Sequence, residues 1–392
     1  MIKILHTSDW HLGQNFMTKS RKAEHEAFFE WLLEQLEKQE IDLLLVSGDI
    51  FDTTTPPNYA LQLYYNFLTK AATKTKKIII TAGNHDSIAT LKATQQLLET
   101  LGITVVTTGE ADEKRVVGVY KEDTLECIVC AAPFLRDFVV RESVAHESFE
   151  AKEKALQEGI VNYYNTLYNE AKEISTSVPL VAMGHLTTLG SVQSDSERDI
   201  YIGGSFALGS SFLEQFDYVA LGHLHQYQKI SKKIYYSGSV IPLSFSEASQ
   251  QKKCNIITLD KEGVAKIEPL SIPVFQKLYR IKGSKEQIIK ELENEALSSM
   301  WLEIIIQDPN PFDAHYQIRQ IVEEKKLTVL AYKTDTMQTQ TTTPQKVVSL
   351  EELTPKEVFA TQIEELEEAM QEVLMERFLK VVEEVKNEDP LT

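Results

Sequence analysis

The sequence predicts an α/β protein, on three observations. Short apolar runs of strand length recur from the N-terminus to about residue 270, stretches with helical periodicity separate them, and no apolar run reaches the ~18 residues of a membrane span. The runs are Ile2 to Thr7, Leu43 to Ser47, Ile78 to Ala82, Leu180 to Met183 and Tyr218 to Leu221. They are mostly apolar and do not alternate strictly, which marks strands buried on both faces under helices. Between the first two, Ala23, Ala27, Phe28, Trp31, Leu32 and Leu36 keep helical spacing behind Ser20 as a candidate N-cap. A helix from Ser20 to Gln39 with one face on a sheet follows.

The rhythm shortens after residue 272. Lys277 to Ile281, Trp301 to Ile306 and Leu327 to Tyr332 read as strands, and Ser284 to Leu297 and Asp313 to Lys325 as helices, a βαβαβ unit over residues 273–335. A polar stretch rich in Thr and Gln, residues 336–350, reads as a linker. The tail, residues 351–392, is an acidic helix whose apolar stripe (Ile363, Leu366, Met370, Val373, Leu374, Phe378, Val381, Val385) needs cover, from its own chain or from a partner.

Composition sets the bounds. At 392 residues, 43% hydrophobic and 25% charged, the chain has room for two or three domains and buries its core without disulfides. Three cysteines and an N-terminus that turns polar at Lys3 fit a reducing cytoplasm rather than secretion. The net charge of −18 argues against binding nucleic acid through the overall field, although residues 351–392 carry half of it, with thirteen acidic residues against Lys356, Arg377, Lys380 and Lys386. Local basic runs, Lys19 to Lys22 and Lys74 to Lys77, are read equally well as solvated surface.

The five apolar runs end alike, in a small residue followed by metal-ligand types: Ser8-Asp9-Trp10-His11, Gly48-Asp49, Gly83-Asn84-His85-Asp86, Gly184-His185 and Gly222-His223-Leu224-His225. Sheets of this class bind ligands beyond the C-terminal ends of their strands, where several strands deliver side chains to one crevice. Any one of these short motifs arises by chance; five in order, each at a strand end, do not fit satisfied core polar groups. Oxygen and imidazole ligands without thiolate suit open, catalytic sites rather than a closed structural zinc. Seven such groups exceed one ion and match two, and two ions about 3.5–4 Å apart need a bridging carboxylate. Asp49 is the candidate.

Taken together, Asp9-x-His11, Gly48-Asp49-x-x-Asp52, Gly83-Asn84-His85-Asp86, Gly184-His185 and Gly222-His223-x-His225 resemble the five signature blocks of the calcineurin-like metallophosphoesterases. Longer stretches, Leu5 to Asn15, Gly48 to Thr53, Gly184 to Thr188, Arg198 to Gly203 and Gly238 to Phe245, are similar to the bacterial DNA-repair exonuclease branch, over almost the whole chain. The resemblance implies a β-sandwich flanked by helices as a nuclease domain over residues 1–272, a small α+β capping domain over 273–335, the linker 336–350 and a partner-binding tail over 351–392. It implies two divalent metal ions, with manganese for activity. Asp9, His11, Asp49 and His225 would hold one, and Asp49, Asn84, His185 and His223 the other. The family's transition-state residue falls on His85, with Asp52 to orient and charge it; Asp86 reads as structural.

The function so implied is cleavage of DNA phosphodiesters in break repair and recombination, at duplex ends and within single strands or hairpins. The implied partners are DNA, a second copy of the chain and an ATPase with long coiled coils, the last meeting the 358–386 helix, with no membrane involved. Two rivals stand beside this reading. A small-molecule or cyclic-nucleotide phosphodiesterase shares the fold, and so does an inactive scaffold, against which every ligand block is intact. The protein-phosphatase branch has Arg after the second block's second Asp, where Asp52 here is followed by Thr53, Thr54 and Thr55.

Other tempting residues have plainer readings. Cys127 and Cys130 lie three apart on a strand, so they face opposite sides and cannot share an ion. His6 is expected to be a hydrogen-bonded core residue, and His25, His146 and His315 lack partners at ligand spacing. Trp10, between two ligands, either walls the site or packs in the core.

Overall fold

The computed structural model describes residues 1–141, 148–194, 196–197, 207–335, 374–375 and 377–378. The Arg198 to Gly203 block, His146, the linker and the tail's stripe apart from Leu374 and Phe378 lie outside them. The chain divides into two compact units, Met1–Thr336 and Met337–Thr392; the four described residues of the second are helical.

Two six-stranded sheets stack face to face in the first unit. One runs in the order Gly263–Ser271, Lys253–Asp260, Ile2–Thr7, Leu43–Ser47, Lys77–Thr81, Ile103–Val106. The other runs Gln228–Lys229, Ile234–Tyr236, Tyr218–Gly222, Leu180–His185, Thr124–Ala131, Val116–Lys121. Parallel strands form the middle of each; antiparallel strands flank the second on both sides and the first on one, its other edge, Ile103–Val106, being parallel. Ile4, Leu43, Leu45 and Ile79 of the first sheet meet Val129, Val181, Met183 and Ala220 of the second between the layers. The opposite faces are covered by helices. Lys22–Lys38 and Asn58–Ala71 bury Phe28, Phe29, Leu32, Leu36, Phe67 and Leu68 on one side, and Phe149–Ile174 buries Leu156, Ile160, Tyr164 and Leu167 on the other. Each strand-centre residue is thus buried whichever face it points to, which is why the runs read as continuous rather than alternating.

The first helix departs from expectation at its start. Arg21, not Ser20, occupies the N-cap, and Ser20 Oγ accepts from Lys22 N at 3.3 Å and lies 3.4 Å from the Tyr59 hydroxyl, so it caps no helical N–H of the first turn beyond Lys22. The buried face is rotated accordingly: Ala23 is exposed while His25 and Phe29 point inward. Arg21 is fully buried, paired with Glu24 and donating to the Pro242 carbonyl, so the first basic run offers no cationic surface at its centre. Lys74 and Lys76 of the second run pair with Glu37 and Asp42. Solvated or paired surface is the reading that stands for both.

Residues beyond 277 build a smaller parallel sheet, Leu278–Gly283, Trp301–Ile306 and Thr328–Thr334, with helices Lys285–Glu291 and Pro311–Glu324. The first of these helices opens on a Ser284–Gln287 capping box and stops at Glu291, short of Leu297, because Asn294 caps a separate 3-10 turn over Glu295–Ser299. Phe16, Phe245, Leu278 and Trp301 pack this sheet to the sandwich, with the Arg21 guanidinium over the Phe16 and Trp301 rings.

The decoy residues fall where their bland readings put them. Cys127 enters the layer between the sheets and Cys130 the layer under the long helix; all three cysteines are free and buried. His6 Nδ1 lies 2.9 Å from the Tyr218 hydroxyl. Trp10 is fully buried, edge-on to Phe28, Phe29 and Phe67, so it packs in the core rather than walling the site. His25, on the first helix, is buried rather than superficial, and its Nε2 donates to the Trp10 carbonyl at 2.8 Å. Among the described residues no helix is long and apolar enough to cross a membrane.

Candidate metal centre

Loops leaving the C-terminal ends of five parallel strands, three from one sheet and two from the other, converge at one edge of the sandwich. Asp9 and His11 follow Ile2–Thr7, Asp49 follows Leu43–Ser47, and Asn84 and His85 follow Lys77–Thr81. His185 ends Leu180–His185, and His223 and His225 follow Tyr218–Gly222. Four of these residues take positive φ, Asp9 (50°), His11 (47°), Asp49 (48°) and His223 (96°), a region costly for side chains with a Cβ. Backbone bends of this kind turn successive side chains back over the strand ends. Glycine clears the space: a Cβ on Gly48 would strike the His185 ring, and one on Gly83 would strike Asp49.

Three groups of ligand atoms form among the described residues, each within 4.8 Å: Asp9, His11 and His225; Asp49, His185 and His223; and, beside them, His11, Asp52 and His85. Asp49 lies between the first two. Its Oδ2 is 3.6 Å from His11 Nε2 and 3.3 Å from His185 Nε2, while its Oδ1 accepts from His85 N at 3.0 Å. Asn84 Oδ1 is 2.9 Å from His185 Nε2. All seven residues named from sequence as ligands are therefore brought together.

Hydrogen bonds fix several tautomers. The Ser47 carbonyl, 3.0 Å from His185 Nδ1, can only accept, so Nδ1 carries a proton and Nε2 is the nitrogen turned toward the Asp49 and Asn84 oxygens, where a metal would replace its proton. Burial opposes a charge on His185, yet Asp49 and Asp9 outweigh it and push the imidazole up to about 9. Burial likewise opposes ionisation of Asp49, but His185, His11 and His85 hold its carboxyl well below the usual range. Burial, then His185, pushes His223 well down, to the neutral form that a metal takes. His11 Nε2 and His223 Nε2 are buried without a hydrogen-bond partner, an expensive state that a cation at this point would relieve. The donor set and these orphaned nitrogens fit divalent metal.

Two residues beside the ligands differ in detail from expectation. His85 Nδ1 is 2.8 Å from the Asp52 main-chain carbonyl, and the Asp52 carboxylate approaches His11 Nδ1 at 3.3 Å while remaining within ligand range of His85. Orientation of His85 thus comes at least in part from backbone. Asp86 receives Gly83 N at 2.8 Å, Ile50 N at 3.1 Å and Phe51 N at 2.9 Å, cinching the second and third ligand loops together. Burial, then the Asp49 charge, raises its carboxyl to about 6.

Sequence reasoning missed a polar group behind His225. Ser196 Oγ is 2.6 Å from His225 Nδ1 and hydrogen-bonds Glu247, which pairs with Lys252 at 2.6 Å; Glu197 Oε1 accepts from His225 N at 2.7 Å. The nearest signal was the position of Glu247 just past the Gly238 to Phe245 block. Its burial is tertiary and leaves no mark in the local pattern.

Comparison with known proteins agrees with this geometry. Residues 2–227 match the calcineurin-like phosphoesterase family, and residues 274–367 match a domain described as the type 5 capsule protein repressor C-terminal domain. The chain is 36% identical over 389 residues to the SbcD component of nuclease SbcCD from Escherichia coli strain K12, covering 96% of this chain and 97% of that one. It is 34% identical to the Rhodobacter capsulatus protein of the same name over 70% of each chain, and 31% identical to the Bacillus subtilis one over 65% of this chain and 66% of that one. Signature loops, sandwich and full-length similarity agree: the chain belongs to the calcineurin-like phosphoesterases, among the SbcD components of SbcCD nucleases.

Proposed function

We propose that this chain is a two-metal DNA phosphodiesterase, the nuclease component of an SbcCD-type complex acting in DNA break repair and recombination. The observation that carries the reading is the single Asp49 oxygen facing both His11 and His185, with a ligand group on either side. Asp9, His11, Asp49 and His225 would hold one divalent ion and Asp49, Asn84, His185 and His223 the other, manganese being the ion the family favours. Bound there, the pair would neutralise phosphate charge and polarise an attacking water. The chain's own part is proton work and positioning. With its Nδ1 proton given to the Asp52 carbonyl, His85 works through Nε2, where it would stabilise developing charge or protonate the leaving 3′-oxygen. Asp52 supports its charge, and Asp86 keeps the loops that carry Asp49 and Asn84 in register.

An acidic chain has little charge of its own to neutralise DNA phosphates, which is consistent with a partner sharing the task. The partner in this reading is SbcC, a coiled-coil ATPase, docking on the 358–386 segment, of which only residues 374–375 and 377–378 are described, and the nuclease chain pairs with a second copy in a cytoplasmic heterotetramer. The test incubates the chain, alone and with SbcC and ATP, with linear duplex DNA and with a bis-aryl phosphodiester, under manganese, magnesium or chelator. Manganese-dependent DNA cutting that the partner stimulates is expected. Hydrolysis of the small ester without DNA cutting would overturn the nuclease reading in favour of a small-molecule phosphodiesterase.

A further inference from the structure

We infer that Glu247 is a positioning residue for the metal centre, acting through Ser196 to hold His225 in the tautomer that leaves Nε2 free for a metal. The inference rests on the two-metal reading of the site and concerns residues outside its ligand set.

The chain of logic is one of donors and acceptors. Glu247 is fully buried and surrounded by donors: Lys252 Nζ at 2.6 Å, Leu243 N at 3.1 Å, Ser194 Oγ at 3.2 Å, Ser239 Oγ at 3.4 Å and the Ser196 hydroxyl. Lys252, itself buried, also donates to the His225 carbonyl at 2.9 Å, so the ion pair is tied to the backbone of the residue it serves. A carboxylate so placed is ionised and can only accept. The Ser196 hydroxyl proton therefore goes to Glu247, and the serine oxygen is left to accept from His225 Nδ1 at 2.6 Å. Nδ1 carries the proton and Nε2 the lone pair. On the opposite side of the centre the Ser47 carbonyl imposes the same tautomer on His185 without any side chain. Supports of this kind orient metal-binding imidazoles and raise their basicity, and their loss costs about 10–100-fold in metal affinity.

The test measures manganese binding to the full chain by equilibrium dialysis for wild type, Ser196→Ala, Ser196→Thr and Glu247→Gln, alongside ¹⁵N spectra of labelled histidine. Ser196→Ala removes the acceptor from a partly exposed loop residue, so it keeps the test sound if loss of the buried carboxylate impairs folding. Glu247→Gln places an amide donor beside the serine, so the direction of the hydroxyl is no longer forced. Wild type binds two ions. In Ser196→Ala and Glu247→Gln one ion weakens about 10–100-fold and the other keeps its affinity, the His225 resonances shift toward a mixture of tautomers, and Ser196→Thr, which retains the hydroxyl, stays at wild type. Unchanged affinities, equal weakening of both ions, or a threonine variant as weak as alanine would overturn the role of Glu247. Failure of wild type to bind two ions would instead overturn the metal reading beneath it.

Discussion

The two halves of the centre share Asp49 and differ in what holds them. Around His185 and His223 the supports are main chain: the Ser47 carbonyl fixes the His185 ring, and His185 lies in register with Gly222 on the neighbouring strand. Around Asp9, His11 and His225 side chains predominate, Ser8 from the adjacent position and Asp52, Ser196, Glu247 and Lys252 from other loops, beside one main-chain bond from His223 N to Asp9 Oδ1 at 2.8 Å. Ligands seated on main chain inherit the rigidity of the sheet, whereas those seated on polar side chains depend on residues that can change without touching a ligand. The second kind is the half whose affinity evolution or mutation tunes most easily.

Substitutions can break or sharpen that contrast. The largest effect is expected at the shared residue: Asp49→Asn empties both halves, and DNA cleavage drops to the level seen with chelator, checked by metal analysis beside a nuclease assay. Next is His85→Gln, which belongs to neither half. Both ions and DNA affinity stay, while cleavage falls about 10²–10⁴-fold; loss of an ion in this variant contradicts the assignment. Trp10→Ala removes a fully buried ring from beneath Asp9 and His11. It is expected to cost about 3–5 kcal/mol in denaturant unfolding and to weaken the ion of the Asp9 half while sparing its neighbour.

The last effect is a slope, small at any one step of pH and spread over several units. Burial pushes His6 and His25 down to about 3, against ~6.5 in the unfolded chain. Across that window the unfolded chain binds protons that the folded one refuses, so stability is full above pH ~6.5 and is lost as pH falls toward 3, by about 1.4 kcal/mol per unit for each histidine. His25→Gln, whose amide can still donate to the Trp10 carbonyl, should flatten the unfolding profile by one histidine's share. An unchanged slope would place the titration elsewhere.

How much of this is legible without coordinates depends on where the information sits. Ile2–Thr7, Leu43–Ser47 and Trp301–Ile306 match the runs read from sequence residue for residue, because a largely buried strand leaves a mostly apolar signature even where Lys3 or Glu303 interrupts it. The hairpins Val116–Lys121 with Thr124–Ala131 and Lys253–Asp260 with Gly263–Ser271 complete the sheets but mix polar and apolar residues, so only the strand carrying Cys127 and Cys130 is anticipated. All seven ligand types are visible as punctuation after strands. Their convergence follows from topology, but the left-handed backbone at Asp9, His11, Asp49 and His223 does not, since nothing in an Asp or His announces positive φ. The motif points to Asp52 for His85, yet the side of it that meets His85 Nδ1 is the carbonyl, a distinction that only coordinates make. Glu247 escapes because its meaning lies in Ser196 and His225, 51 and 22 residues earlier in the chain.

The most direct measurement of the central claim is a manganese titration of the full chain, followed by metal stoichiometry and by cleavage of linear duplex DNA at each point. The account predicts two ions per chain, the half around His185 filling first because its supports are main chain, and cutting that appears only as the second ion binds. A single ion per chain at saturation, or full cleavage with one ion bound, would contradict it.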